Sequence, residues 1–289
     1  MTDELVSNED AIRETSSEVS AEILASKQKM LAQLDLLRRI QRARSAIFDD
    51  RRDLVFDVVE DVLQALLDNE ETSEEELHIL ARRRDVSFEI LRRMASDHRV
   101  ARSHVLRRVL VLNPKLPASA GLRLVGQLYL FDLVFVLTTP ALPMEVKTAA
   151  ENLILQQYTG IALGQKITLA RRINGTRLIP HMLNDPSQEV VRAALDNPFL
   201  NENIVANAVR KANHSHVVSL IADSPKWSVR KYVKQALLRS RYLSPGRATV
   251  LIQTLNALEL RELKADSTVP VPIRTLISQI SARLQSKRG

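Results

Sequence analysis

The chain has 289 residues, a formal net charge of +7 at pH 7 and no cysteine, which excludes disulfides, thiolate metal sites and cysteine nucleophiles. It contains 7 glycines, where an average content of about 7% would give roughly 20. Glycine-rich nucleotide loops and β-hairpin turns need residues that tolerate positive φ, so this composition favours an all-α protein.

The N-terminal region is acidic at its start and amphipathic further on. Residues 1–25 carry seven acids and one arginine, a net charge of −6, and we interpret residues 1–20 as an acidic flexible tail. Residues 21–59 are predicted to form a long helix and cap. Ile23, Met30, Leu34 and Leu37 follow helical spacing and are expected to pack on the rest of the chain, with a short coiled coil as the alternative.

An internal duplication organises the remaining residues. The segment 62–69, VLQALLDN, shares five of eight residues with segment 190–197, VVRAALDN. After a slip of one residue, an offset of 127 continues without a gap and keeps apolar positions such as Leu110 and Leu237 in register. We therefore predict two modules, at residues 60–155 and 188–283, joined by a connecting segment at residues 156–187.

Proline and its neighbours divide each module into short helices. In the second module we expect helices near Gln188–Leu195, Glu202–Lys211, His216–Asp223 and Ser228–Arg239, and in the first module one near Arg102–Leu112. Helices of this length cannot each bury a face alone. Stacked, they form a continuous core, as in a solenoid.

The run Asp185–Pro198, DPSQEVVRAALDNP, resembles the leucine-rich repeat variant unit, and the wider helical pairing resembles HEAT-type repeats. This resemblance implies a right-handed α-solenoid that serves as a binding scaffold. Some leucine-rich repeat variant proteins hold a cysteine-ligated iron–sulfur cluster, and this chain has no cysteine to hold one.

Basic residues are concentrated in the last third of the chain, where residues 204–289 carry 15 Lys or Arg and four acids. In the helix expected at Ser228–Arg239, Val229 and Val233 belong to the predicted core stripe, and basic side chains point outward. Repetition of basic positions in the first module predicts an electropositive strip. The candidate binding residues are Arg107, Arg108, Arg230, Lys231, Lys234 and Arg241. Trp227 is predicted to pack in the core.

No residue pattern indicates catalysis, a metal site or a cofactor. The six histidines lack the spacing of a helical zinc motif, and Gly160–Gly164 lacks the ending of a phosphate-binding loop. Residues Leu122–Leu137 are too short and too polar to span a membrane. The acidic start differs from a signal peptide, which predicts a cytoplasmic protein.

Two functions follow from these observations. The first is a non-enzymatic helical-repeat scaffold that binds a protein or peptide through its curved, partly basic surface. The alternative is a nucleic-acid-binding helical-repeat protein with an architecture like that of alkylated-base glycosylases. A further hypothesis is that the acidic tail folds onto the basic C-terminal module. The sequence does not indicate an oligomeric state.

Overall fold

A computed structural model describes residues 24–45, 47–175 and 177–286, with side chains described to residue 282. Over these residues the protein is all-α and contains no β-strand. The acidic tail and Ile23 lie outside the described residues. The expectation of an all-helical fold is thus confirmed for the part of the chain that the structure describes.

The helices are short apart from the first and the last. They are α1 (residues 24–43), α2 (Phe48–Arg51), α3 (Glu60–Asp68), α4 (Glu74–Arg82), α5 (Phe88–Met94), α6 (His98–Arg102), α7 (His104–Val111), α8 (Ala118–Val125), α9 (Leu130–Thr138), α10 (Met144–Gln157), α11 (Leu163–Arg172), α12 (Leu178–Met182), α13 (Gln188–Leu195), α14 (Glu202–Arg210), α15 (Ser215–Asp223), α16 (Lys231–Leu238), α17 (Pro245–Gln253), α18 (Ala257–Ala265) and α19 (Val271–Ser286). Two 3-10 helices cover Leu54–Phe56 and Tyr158–Gly160.

The chain folds into two compact units. Unit 1 comprises Met1–Leu128 with Ala141–Pro143, and unit 2 comprises Tyr129–Pro140 with Met144–Gly289. In unit 1, α4 packs against α7, and in unit 2, α11 packs against α13 and α14 packs against α16. The boundary between the units falls inside the predicted first module.

Helix positions follow the offset of 127 residues seen in the sequence. The bounds of α16 are those of α7 moved by 127 residues, and the same relation holds between α9 and α18. The helices predicted near Gln188–Leu195, Glu202–Lys211 and His216–Asp223 are confirmed as α13, α14 and α15. Module 2 has no helix in the place of α6.

Polar caps begin many of these helices. Ser73 and Asn256 form complete capping boxes with Glu76 and Glu259, so that side chain and backbone bond reciprocally. Ser244 caps α17, whose first residue is Pro245. These caps satisfy N–H groups that the first helical turn leaves without intrahelical partners.

The carbonyl ends of the helices are satisfied differently. No described residue has a positive φ, so the left-handed glycine caps that commonly end helices do not occur in the described ranges. Instead, asparagine amides reach back to an earlier helix. In unit 1, Asn69 Nδ2 donates to the carbonyls of Ala43 and Ser45 at 3.0 and 2.8 Å.

Two further asparagines make the same pair of bonds and are almost fully buried. Asn113 Nδ2 donates to the Ala81 and Arg83 carbonyls at 2.8 and 2.9 Å. In unit 2, Asn197 Nδ2 donates to the carbonyls of Ala170 and Ile173 at 2.7 and 3.0 Å. Each asparagine Oδ1 also accepts the backbone N–H two residues ahead. We call these three residues the asparagine clamps.

The N-terminal helix has two apolar faces. Leu36, Ile40 and Ala43 are half-buried or buried, whereas Met30 and Leu37 are 55% and 61% exposed. The expectation that the stripe of Met30, Leu34 and Leu37 packs on the chain is therefore wrong. Residues 34 and 37 lie on the side of the helix opposite to residues 36 and 43, because successive residues turn by 100°.

A buried carboxylate organises the connection before α12. Glu151 Oε1 in α10 accepts hydrogen bonds from the backbone N–H groups of Arg177 and Leu178, at 2.7 and 2.8 Å. A Cβ atom added to Gly175 would lie 2.6 Å from that same oxygen. Glycine is therefore required here by a close approach and not by its backbone angles.

No helix in the described part of the chain is both long enough and apolar enough to cross a membrane. This finding agrees with the interpretation of Leu122–Leu137, which the structure divides between α8 and α9. The cytoplasmic location stays a prediction.

We expect Asn197→Ala to lower the free energy of unfolding by about 2–4 kcal/mol, because two buried carbonyls lose their donor. Asn207→Ala is the matched control, since Asn207 is exposed in α14, and it should change stability by less than about 0.5 kcal/mol. Urea denaturation of both variants measures the difference. Equal stabilities would show that the clamp does not hold the helices together.

We expect Gly175→Ala to destabilise the protein by about 1–3 kcal/mol, because its methyl group displaces the Glu151 carboxylate from two backbone donors. Gly164→Ala serves as the control, since nothing lies within 4 Å of a Cβ at that position in α11. Thermal unfolding followed by circular dichroism should separate the two. A lower midpoint for the Gly164 variant would contradict the steric argument.

Candidate functional site

The basic residues predicted in the second module lie at both ends of α16. Arg230 precedes its first residue and is exposed, as is Lys231, while Lys234 is half-buried one turn later. Arg241 follows the helix at its opposite end and is also exposed. The structure therefore groups Arg230, Lys231 and Lys234, and places Arg241 about 12 Å away along the helix axis.

The start of α16 differs from the sequence expectation. The helix begins at Lys231 and not near Ser228, so Val229 lies in the preceding turn and is 66% exposed. Its assignment to the core stripe is wrong, whereas Val233 is buried as predicted. Trp227 is also buried, which confirms its packing role, and its indole N–H donates to the carbonyl of Leu195 at 2.9 Å.

In unit 1, Arg107 and Arg108 lie in α7 and are half-buried. Arg107 occupies the position of Lys234 in the duplication, and its guanidinium donates a hydrogen bond to the carbonyl of Ala101. This internal bond reduces the availability of Arg107 for a partner. The sequence pattern gave no indication of it.

Arg241 belongs to a groove in unit 2 with a volume of about 770 Å³. The groove lies where α14, α16 and α18 end, and we call it the helix-end groove. Four basic side chains and one acidic side chain line it. Its lining residues are Val209, Arg210, Lys211, Ala212, Asn213, Ala236, Arg239, Ser240, Arg241, Tyr242, Asp266 and Thr268.

Hydrogen bonds fix several of the polar groups in this groove. Arg241 lies over the ring of Tyr242, with the guanidinium carbon 4.8 Å from the ring centroid, and donates to the tyrosine hydroxyl at 2.7 Å. Arg239 Nε donates to Asp266 Oδ2 at 2.8 Å. Hydrogen bonds from the hydroxyl and backbone N–H of Thr268, together with Arg239, hold the pKa of Asp266 below its ordinary value.

Unit 1 contains a counterpart of this groove. Residues Ala81, Arg82, Arg84, Val109, Leu112, Asn113 and Pro114 line a cavity of about 280 Å³ at the ends of α4 and α7. The offset of 127 relates Leu112 to Arg239 and Pro114 to Arg241. The groove in unit 2 is therefore larger and has gained basic residues at positions that are apolar in unit 1.

Ser240 occupies the position of the asparagine clamp Asn113. The backbone is the same at both residues, because each N–H bonds three residues back and each carbonyl accepts from three residues ahead, at Leu116 and Leu243. Ser240 Oγ accepts the N–H of Tyr242 at 3.3 Å, as Asn113 Oδ1 accepts that of Lys115. A serine has no amide group to reach back.

The missing amide changes the end of α14. Asn113 bonds to the carbonyls of Ala81 and Arg83, and their counterparts at the end of α14 are Ala208 and Arg210. These carbonyls receive no hydrogen bond from Ser240, whose hydroxyl bonds to Tyr242. The helix-end groove thus combines backbone acceptors at its floor with basic side chains around it.

A second polar cluster in unit 2 has a structural role. Tyr158 donates its hydroxyl hydrogen to Asp185 Oδ2 at 2.6 Å, Ser187 N–H bonds to the other carboxylate oxygen, and Lys166 lies 3.9 Å away. Burial and the contact with Asp185 raise the pKa of Tyr158, so the phenol keeps its proton. The buried carboxylate is satisfied by its own neighbours, and this cluster offers no reactive group.

Across the described ranges, no group of three or more His, Asp or Glu side chains could hold a metal ion. His214 and His216 stack, with ring centroids 5.3 Å apart, and His216 Nε2 lies 3.0 Å from the carbonyl of Asp185. The expectation that the rings point apart is wrong, because His214 precedes the first residue of α15.

Sequence reasoning identified Arg241 but missed the rest of the helix-end groove. Arg210, Lys211, Arg239 and Tyr242 come from two helix ends separated by about 30 residues, and only packing brings them together. One signal was present in the sequence. In the duplication Ser240 stands where the first module has Asn113, followed by proline.

No protein-family model, curated protein or solved structure shows a significant match to this chain. The resemblance to leucine-rich repeat variant and HEAT-type units therefore stays a prediction. The argument about function depends on the chemistry of the site itself.

We expect Ser240→Asn to raise the free energy of unfolding by about 1 kcal/mol, because the new amide can bond the carbonyls at the end of α14. Ser215→Asn, at an exposed position in the same unit, is the control and should have little effect. Chemical denaturation of the two variants provides the measurement. A loss of stability in the Ser240 variant would mean that the clamp geometry is not available there.

Proposed function

We propose that this protein is a non-enzymatic helical-repeat scaffold, built as a right-handed α-solenoid, that binds an acidic protein or peptide through the basic surface of its second module. The observation that carries this proposal is the helix-end groove, where four basic side chains face one acid. An acidic partner gains charge complementarity there.

The repeat architecture is supported by the shared helix register. Helices α7 and α16 occupy equivalent positions in the duplication, and each packs against the helix that precedes it by two places in its module, once α6 is left aside. Three asparagine clamps repeat one hydrogen-bond pattern between helices. Repetition of this kind is typical of proteins built by stacking similar units.

Nucleic acid is the alternative partner, as expected from charge. Arg230 and Lys231 are exposed at the start of α16, where a phosphate could approach both the basic side chains and the positive end of the helix. The two classes of partner differ in their response to salt. Binding to polyphosphate weakens steeply and linearly in a log–log plot because counterions are released.

We expect a fluorescein-labelled peptide of repeating Glu-Gly units to bind the full chain at about 0.15 M salt, where only close charge pairs persist. Reversal of two charges, in Arg230→Glu with Lys231→Glu, should weaken this binding about five- to tenfold. The control reverses Arg192 and Arg261, which changes the net charge equally at exposed positions outside the groove. Fluorescence anisotropy measures both variants.

Other outcomes favour or reject the proposal clearly. Equal losses in both double variants would show that net charge alone attracts the peptide. If single-stranded or duplex DNA and RNA bind at this salt concentration and the peptide does not, the nucleic-acid alternative is correct. If none of these probes binds, the basic surface is not the binding surface.

A further inference from the structure

We propose that the helix-end groove binds an extended acidic peptide segment that completes the end of α14 in place of an asparagine clamp. In this mode, backbone N–H groups of the peptide donate to the carbonyls of Ala208 and Arg210. Its carboxylates pair with Arg241 and the neighbouring bases. The inference rests on the proposed function and specifies the site and the ligand chemistry.

The first step of the argument is the conserved backbone geometry around Ser240. The N–H groups of Asn113 and Ser240 both bond three residues back at 2.9 Å, to Leu110 and Leu237. An asparagine at position 240 would therefore aim its amide at the end of α14, as Asn113 aims at the end of α4. Ser240 leaves that position open to a donor from another molecule.

The second step concerns what the floor of the groove can accept. Short helices end with carbonyl groups that have no intrahelical partner. At the equivalent helix end in unit 1, two such carbonyls are bonded by one side-chain amide. A peptide backbone carries the same type of amide N–H donor, so it matches the acceptors that Ser240 does not reach.

The third step concerns the rim. Arg210, Lys211 and Arg241 are exposed, and Arg241 is held flat against Tyr242 by stacking and a hydrogen bond. An arginine positioned in this way presents its remaining N–H donors for a carboxylate in a fixed orientation. Arg239 is occupied by Asp266, which leaves three basic side chains for the ligand.

The same features disfavour a polyphosphate in this groove. Three helices end here, and helix C-termini carry partial negative charge. Asp266 adds a full negative charge, since its pKa is held low. A nucleic-acid backbone offers acceptors and negative charge but few donors, whereas an acidic peptide offers donors to the floor and carboxylates to the rim.

The experiment compares two labelled peptides of equal length and charge, measured by anisotropy against the full chain. One repeats Glu-Gly, and the other repeats Glu-sarcosine, in which a methyl group replaces every second backbone N–H. We expect the sarcosine peptide to bind at least about tenfold more weakly, because losing about 1.4 kcal/mol of hydrogen bonding costs a factor of ten.

Two substitutions test the site itself. Ser240→Asn fills the donor position and should weaken binding of the Glu-Gly peptide about tenfold or more while the fold is retained. Arg241→Glu, at an exposed residue, should weaken it comparably. Ser215→Asn is the matched control for the first variant and should bind as the unmodified chain does.

The outcomes separate this proposal from the proposed function. If the Glu-Gly peptide binds and neither Ser240→Asn nor Arg241→Glu weakens it, the groove is not the site, although the scaffold function stands. Equal binding of the two peptides would overturn the role of backbone donors. A peptide that does not bind at all overturns both proposals, and tighter binding of a single-stranded oligonucleotide of equal charge would replace the peptide by nucleic acid.

Discussion

The structure depends on how the carbonyl ends of its short helices are satisfied. The chain has few glycines, and no described residue adopts a positive φ, so helices do not end there in left-handed caps. Side chains that follow in sequence provide the donors instead. Asn113 and Asn197 do so with both amide hydrogens, and Trp227 does so with its indole N–H. Each bond joins one helix end to a later turn of the chain.

Arginine takes the same role in unit 1. Arg99 donates to the carbonyls of Leu67 and Asn69, and Arg51 donates to those of Ser45 and Glu71 while paired with buried Glu76. Guanidinium groups used in this way are not available to a partner. Net charge therefore overstates the basic surface, and burial decides which arginines face solvent.

A clamp that is missing has a different consequence from a clamp that is merely weak. Replacement of an asparagine by Ser240 retains the local turn but removes the bonds across the helices. Apolar Leu112 and Pro114 of the first module correspond to Arg239 and Arg241 in the second. Stability at this helix end has thus been exchanged for an open groove with charged walls, which is how a binding site can arise within a duplicated scaffold.

The sequence by itself determined the helical class, the offset of 127 residues and most helix positions, because local spacing and proline turns act over a few residues. It also located Arg230, Lys231 and Lys234 on one helix. The exposure of Met30 and Leu37, the internal use of Arg107 and the assembly of the helix-end groove were decided only by the tertiary structure. Those features depend on which helix ends meet, and the amide or guanidinium donors involved bond to residues about 25 to 30 positions away, a range that periodicity does not encode.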